Sequence, residues 1–156
     1  MEAQAIRRLI QEEKELQLPP VAVSFSCRSN DQISDGTPLY KCLDTLVDVN
    51  LIFGIGVNCT KPKFIPALLD ILLGDTNNNK NKKAILLYPD GGEEWDAIAR
   101  SWNSETKMPT DVFGQSMAGW AKEIENRTGQ KVLLGGCCGC GPSHISCIRN
   151  GLSSSS

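Results

Sequence analysis

KVLLGGCCGCGPSHI, residues 131–145, is the stretch on which the reading of this chain turns. A short apolar run ends at Gly135-Gly136, two thiols stand side by side at Cys137 and Cys138, a third follows at Cys140, and Pro142 opens a helical pattern. An apolar run closed by glycine and followed by helix reads as a strand-then-helix unit of a parallel sheet. The unusual residues then fall at the carboxyl end of a strand, where parallel α/β folds gather their chemistry.

Upstream the same grammar repeats. VAVSFS (21–26), FGIGVNC (53–59) and AILLYP (84–89) are short, apolar and rich in β-branched or aromatic residues, and each is followed by a helical pattern. Thr37-Pro38 resembles an N-cap with proline in the first turn and predicts a helix to about Val49. Thr60 is placed to cap a helix whose apolar side is Ile65, Leu68, Leu69 and Leu72. DGGEEWDAIARSW (90–102) reads as a loop leading into a helical turn, and Thr110-Asp111 opens a helix carrying Phe113, Met117, Trp120 and Ile124. A first helix places Ala5, Ile6, Leu9 and Ile10 on one face, continues through Leu16 and stops at Pro19-Pro20. GDTNNNKNKK (74–83) is a polar connection, and the closing serines (153–156) read as a disordered tail. Four strands followed by helices, with no hairpin signal, make parallel βα units; alternation alone leaves an open doubly wound sheet and a piece of a barrel both available.

The chain has 156 residues, a one-domain length, and a net charge of −2. No basic patch interleaved with aromatics marks a nucleic-acid partner. No apolar run nears the roughly 18 residues that span a bilayer, and the charged N-terminal stretch has no signal-like apolar core, so the expected setting is cytoplasmic. Seven cysteines in a reducing compartment are buried, metal-bound or catalytic more often than paired.

The strand ends carry Ser26-Cys27, Asn58-Cys59, Tyr88-Pro89-Asp90 and Gly136-Cys137-Cys138, with no glycine-rich nucleotide motif among them. Two strand tips on one rim can bring Cys59 to Cys137 and Cys138. Neighbouring side chains of a regular strand point to opposite faces. The doublet therefore converges only if the backbone turns, for which Gly135, Gly136 and Gly139 supply freedom. Three thiolates leave a tetrahedral zinc one open position, which suits binding of a substrate thiol and alkyl transfer to sulfur. Two other readings stand beside it: a four-cysteine structural site that includes Cys140, and a pair of ordinary small residues with no metal.

At these residues the chain resembles the homocysteine S-methyltransferase family. VSFS, SDGTPL (34–39), GVNCT (56–60), YPDGGEEWD (88–96), Trp102 and GGCCG with Pro142 and Ile145 occur in the family's order over nearly the whole chain. The resemblance implies that Cys59, Cys137 and Cys138 bind Zn²⁺. It implies that a methyl group passes from S-methylmethionine or S-adenosylmethionine to homocysteine, giving methionine. It also implies that residues 1–152 are the C-terminal half, about four strands, of a (β/α)₈ TIM barrel, in a partial homocysteine-binding domain. The DGTPL (35–39) and Tyr88–Glu94 loops would shape the donor side. Glu93, Glu94 and Asp96 stand either as a solvated helix start or against a cationic substrate group.

The sequence departs from the family pattern at Asp90-Gly91 and at Cys140-Gly141. Cys140 reads as a silent neighbour, an extra ligand or an oxidation-prone thiol. Cys27, Cys42 and Cys147 read as core residues, and His144, the only histidine, as a packing residue before a general base. The larger departure is length. Half a barrel has two open edges and would uncover the inward side chains Val23, Phe25, Ile55 and Leu86, at a cost on the order of 5–10 kcal/mol. The alternative to an active methyltransferase is therefore an inactive shortened chain that binds zinc, associates with itself or pairs with a full-length homologue.

Overall fold

A computed structural model describes residues 2–12, 19–74 and 83–154 of the chain. Its elements run α1 (Glu2–Glu12), β1 (Val21–Phe25), α2 (Leu39–Leu46), β2 (Ile52–Asn58), α3 (Ile65–Leu73), β3 (Ala84–Tyr88), β4 (Glu94–Asp96), β5 (Ser101–Asn103), α4 (Thr110–Thr128), β6 (Val132–Leu134) and α5 (Pro142–Ser153). The principal sheet is parallel, in the order β1-β2-β3-β6, so strands adjacent in space follow one another along the chain with a helix in each connection. This is the α/β arrangement of βα units that the alternation predicts.

One face of the sheet carries the core. Val23, Phe25, Ile55, Val57, Ile85 and Leu87 are buried in a single apolar cluster with Leu39 and Leu46 of α2, Leu68, Leu69 and Leu72 of α3, and Phe113, Met117 and Ile124 of α4. The other face is built from the alternate positions. Ser24, Gly56, Leu86 and Leu133 stand in register across all four strands. On this face Ala22, Ser24 and Leu133 are exposed, and Leu86, although buried, stands outside the main cluster.

The expectation that Val23, Phe25 and Ile55 lose their packing in a half-barrel is therefore corrected. They point toward the helices and are at most 7% exposed; only Leu86 of the four lies on the open side. On β1 and β2 the large apolar side chains belong to the covered face and the open face carries small residues, while β3 and β6 contribute Leu86 and Leu133 to it.

Local corrections have similarly plain causes. The first helix turns Ala3, Ile6 and Ile10 toward the core and leaves Leu9 exposed; Leu16 lies outside the described residues. Arg7 explains the rotation: its guanidinium reaches the Asp48 carboxylate and the Thr45 carbonyl, which ties that edge of α1 to the end of α2. Pro38, not Thr37, holds the N-cap position of α2, with no side-chain capping bond, and the helix ends at Leu46. The segment after Asp90 is an antiparallel hairpin in place of a helical turn. Trp95 pairs with Trp102, their rings edge to face at 5.4 Å, and Asp96 accepts the amides of Ile98 and Ala99 to close the turn. α5 runs through Ser153 with Ser154 as its C-cap. None of the described helices is long and apolar enough to cross a membrane.

Candidate metal centre

The ends of β2, β3 and β6 meet at one rim. Past Asn58 the chain enters a left-handed conformation at Cys59, with φ of 45°. For a residue with a Cβ this costs on the order of 1–3 kcal/mol and persists only where the surroundings enforce it. The Cys59 amide donates to the Tyr88 carbonyl at 2.9 Å, fastening the turn to the end of β3. Past β6, Cys137 N–H donates to the Pro89 carbonyl at 2.9 Å, and the Cys138 carbonyl accepts from Gly91 N–H at 2.8 Å. The segment 89–91 thus lies between the two thiol-bearing turns and holds both.

The three predicted sulfurs come together. Cys59, Cys137 and Cys138 offer Sγ atoms all within 4.8 Å of one another, and they are the group of three among the described residues that can hold a metal ion. Cys59 and Cys137, 78 residues apart with Cα atoms separated by 5.4 Å, are joined as a disulfide. Cys138 is exposed, its Sγ 4.0 Å from that of Cys59. Tetrahedral zinc with thiolate bonds of about 2.3 Å holds its sulfurs about 3.8 Å apart, so the spacing fits once the disulfide opens into two thiols. The donor set is soft, which favours zinc over magnesium or calcium.

The glycines divide: Gly139 acts as expected, while Gly135 and Gly136 serve another purpose. Gly139, with φ of 76°, supplies the left-handed turn after the doublet. Gly135 and Gly136 are required for close approach: a Cβ on the first would lie 2.3 Å from the Tyr88 ring, and on the second 2.5 Å from the Cys140 Cβ. Cys140 packs beside Gly136 with its thiol toward the Pro89 carbonyl, outside the three-sulfur group. Burial pushes its pKa up, so it is a poor thiolate in this setting.

The acidic residues of the rim are occupied. Asp90 accepts from Gly92 N–H and pairs with Lys61 at 3.0 Å. Lys61 also donates to the Glu93 carbonyl and lies 5.8 Å from the Trp102 ring centre. Glu93 faces Lys107, and Glu94 pairs with Lys63, which lowers the Glu94 pKa. These carboxylates belong to a hairpin clamp and not to a helix start. His144 is buried, edge-on to Phe113, and its Nδ1 accepts the Gly141 amide at the start of α5, which is a packing and capping role, while its buried Nε2 has no hydrogen-bond partner among the described residues. Cys27 and Cys42 are buried as expected, while Cys147 is only half-buried.

Sequence reasoning missed Lys61 and Thr60. The lysine gave no signal beyond its charge, and the threonine was hidden by its resemblance to a helix cap.

The homocysteine S-methyltransferase family profile matches residues 1–152. The chain belongs to the homocysteine S-methyltransferase family. It is 34% identical over 152 residues to homocysteine S-methyltransferase 1 of Arabidopsis thaliana, covering 97% of this chain and 43% of that protein. It is 34% identical over 144 residues to homocysteine S-methyltransferase YbgG of Bacillus subtilis, covering 92% and 41%. A selenocysteine methyltransferase of Astragalus bisulcatus is 29% identical over 154 residues. Among solved structures, the homocysteine methyltransferase MmuM of Escherichia coli superposes in its metallated form with a TM-score of 0.63 at 22% identity, and in its oxidized form with 0.62 at 21%. These matches cover 99% and 96% of this chain but 41% of MmuM, and at that identity they establish the fold. The chain thus spans about two-fifths of the length of the family members it matches.

Proposed function

We propose that this chain is the metal-bearing portion of a zinc-dependent homocysteine S-methyltransferase, with Cys59, Cys137 and Cys138 as the ligands. The observation that carries the reading is the convergence of three thiols from two strand ends, 79 residues apart at Cys59 and Cys138, in a chain of this family. Bound zinc would lower the pKa of the substrate thiol, so that homocysteine sulfur is available as thiolate near neutral pH.

The chain's own residues orient and shield. The left-handed turn at Cys59 and the Gly139 turn shape the two segments whose three Sγ atoms lie within 4.8 Å of one another. Lys61, clamped to Asp90 and to the Glu93 carbonyl, holds the Trp95–Trp102 hairpin beside it. In the reaction a sulfonium methyl of S-methylmethionine or S-adenosylmethionine passes to homocysteine sulfur. The donor C–S bond breaks as the new one forms, the donor leaves as a neutral thioether, and the thiol proton goes to solvent. A reducing cytoplasm suits thiols that must stay unpaired to serve as ligands, and methionine biosynthesis is the corresponding role.

The open sheet face favours a second element of the reading. Ala22, Ser24 and Leu133 are exposed there, and the chain spans about two-fifths of its relatives. Residues 1–152 therefore act as a partial homocysteine-binding domain, the C-terminal portion of a (β/α)₈ barrel. Its rim is completed by further βα units from another copy or from a full-length homologue. The zinc-binding chain without such a complement is the inactive alternative.

Zinc content and methionine formation, measured on the reduced chain alone and with the N-terminal half of a family member, test both parts. One zinc per chain, lost in Cys138→Ser, with methionine formed only in the complemented sample, is expected. Failure to bind zinc refutes the metal assignment, and full activity of a monomer refutes the need for a complement.

A further inference from the structure

Thr60 is buried to 1% exposure, and it and His144 are the two buried polar side chains among the described residues. It does not cap a helix: a 3₁₀ turn at Pro62–Phe64 separates it from α3. Its hydroxyl accepts the Cys27 amide, just past β1, at 2.9 Å and donates to the Asn58 carbonyl, at the end of β2, at 2.9 Å. Its carbonyl accepts the Asp90 amide, past β3, at 3.0 Å. One residue thus ties together three strand ends.

Its place in the chain gives those bonds a further meaning. The Thr60 hydroxyl bond to Asn58 closes over Cys59, the residue held at positive φ. The Asp90 bond fixes Cys59 relative to the segment 89–91, whose Pro89 carbonyl and Gly91 amide hold Cys137 and Cys138. The Cys59 turn is therefore set by the Thr60 bonds together with its own amide bond to the Tyr88 carbonyl, and through segment 89–91 it is set relative to the doublet. A hydroxyl is suited to this task because it accepts and donates at once. Valine, of nearly the same shape, would do neither and would leave the buried Cys27 amide without its acceptor.

We propose that Thr60 is the positioning residue of the metal centre, its hydroxyl holding the Cys59 thiol in register with the Cys137–Cys138 doublet. The inference rests on the reading that these cysteines bind metal. Partners outside the ligand set commonly govern metal affinity by about 10–100-fold.

The test uses the reduced full chain, with Co²⁺ as a spectroscopic probe and chelator competition for Zn²⁺ affinity. Thr60→Val is expected to lose at least about tenfold in affinity. Its cobalt complex should also lose charge-transfer intensity, as expected when one thiolate drops out. Thr60→Ser, which keeps the hydroxyl, should stay within about threefold of wild type, well short of that loss. Circular dichroism checks the fold of each variant. A folded valine variant with wild-type affinity and spectrum overturns the proposal, since a purely structural hydroxyl would change melting without changing the ligand set. A serine variant that loses as much as valine also overturns it. Should the valine variant fail to fold, the serine variant decides, because a tenfold loss there assigns the effect to the methyl group and not to the hydroxyl. Wild type that takes up no cobalt refutes the metal reading and this inference with it, whereas wild-type uptake shared equally by both variants refutes this inference alone.

Discussion

Replacing Gly114 by alanine tests how tightly the thiol loop is anchored from behind. Gly114 lies on α4 where α5 crosses it: a Cβ there would stand 2.5 Å from both the carbonyl carbon and the Cβ of Cys147, and 2.8 Å from the Cys147 oxygen. Two of those atoms are backbone, so rotating a side chain cannot relieve the overlap, and the helices must separate. Overpacking of this kind costs about 1–3 kcal/mol, while exchanging glycine for alanine within a helix returns up to about 1 kcal/mol. Gly119, on an exposed side of the same helix with no atom within 4 Å of its would-be Cβ, provides the control. Gly119→Ala gains the helix-propensity benefit without the clash, so the difference between the variants isolates the crossing. That difference is about 1–3 kcal/mol, or roughly 2–12 °C in Tm for a chain of this size. Thermal melts of the reduced chain followed by circular dichroism measure it, with Gly119→Ala melting above wild type and Gly114→Ala below. Because α5 starts at Pro142, four residues after Cys138, Gly114→Ala should also weaken zinc binding. Equal melting of the two variants, or a higher Tm for Gly114→Ala than for the control, would refute the close crossing of α4 and α5.

Two further outcomes follow from the cysteines. The disulfide between Cys59 and Cys137 uses two of the three sulfurs that a metal would need. Mild oxidation should therefore remove two titratable thiols and abolish zinc binding together, with both restored by reductant; zinc retained after loss of the two thiols would contradict the shared site. Burial pushes the Cys27 pKa from about 9 up to about 11. The folded value lies above the unfolded one, so the stabilisation is fully present below about pH 9 and is lost as pH rises toward 11. Urea midpoints of wild type should fall more between those pH values than midpoints of Cys27→Ala, which keeps the backbone amide bonded to Thr60; parallel decline would refute the assignment.

What could be read in advance divides by the range of the forces involved. The four parallel strands and the three thiols were legible because a βα alternation and a glycine-bounded cysteine doublet are local patterns with few alternatives. Ile65, Leu68, Leu69 and Leu72 were placed correctly since helical spacing leaves them one common face. The face of each strand was not legible. Val23 and Phe25 alternate with Ala22 and Ser24, and alternation specifies two faces without saying which one meets helices. The Trp95–Trp102 hairpin was missed because Glu94–Asp96 and Ser101–Asn103 are three-residue strands, and their closing turn depends on Asp96 accepting two amides. Thr60 was misread for a related reason: a threonine before a proline-rich helical start has the local form of a cap, while its actual partners are 33 residues upstream at Cys27 and 30 downstream at Asp90.

The asymmetry of the sheet bears on what this portion of the fold can do by itself. Residues opposing the helices are large and almost fully buried, so the apolar driving force for folding lies within the chain. On β1 and β2 the open face carries Ala22, Ser24, Gly54 and Gly56, small side chains that expose little apolar area when left uncovered, and Leu133 of β6 is the large apolar residue exposed there. On the proposed reading, stability and site assembly should be separable from completion of the barrel. The ligand turns are held by bonds among the ends of β1, β2, β3 and β6, all present here. The sheet face turned away from the helices, by contrast, stays uncovered at Ala22, Ser24 and Leu133. Metal affinity should thus be nearly complete in the isolated chain while methyl transfer is lost, and adding the missing βα units should restore turnover far more than it tightens zinc. A complement that raised zinc affinity and activity in equal proportion would show that the ligand turns themselves depend on the closed barrel.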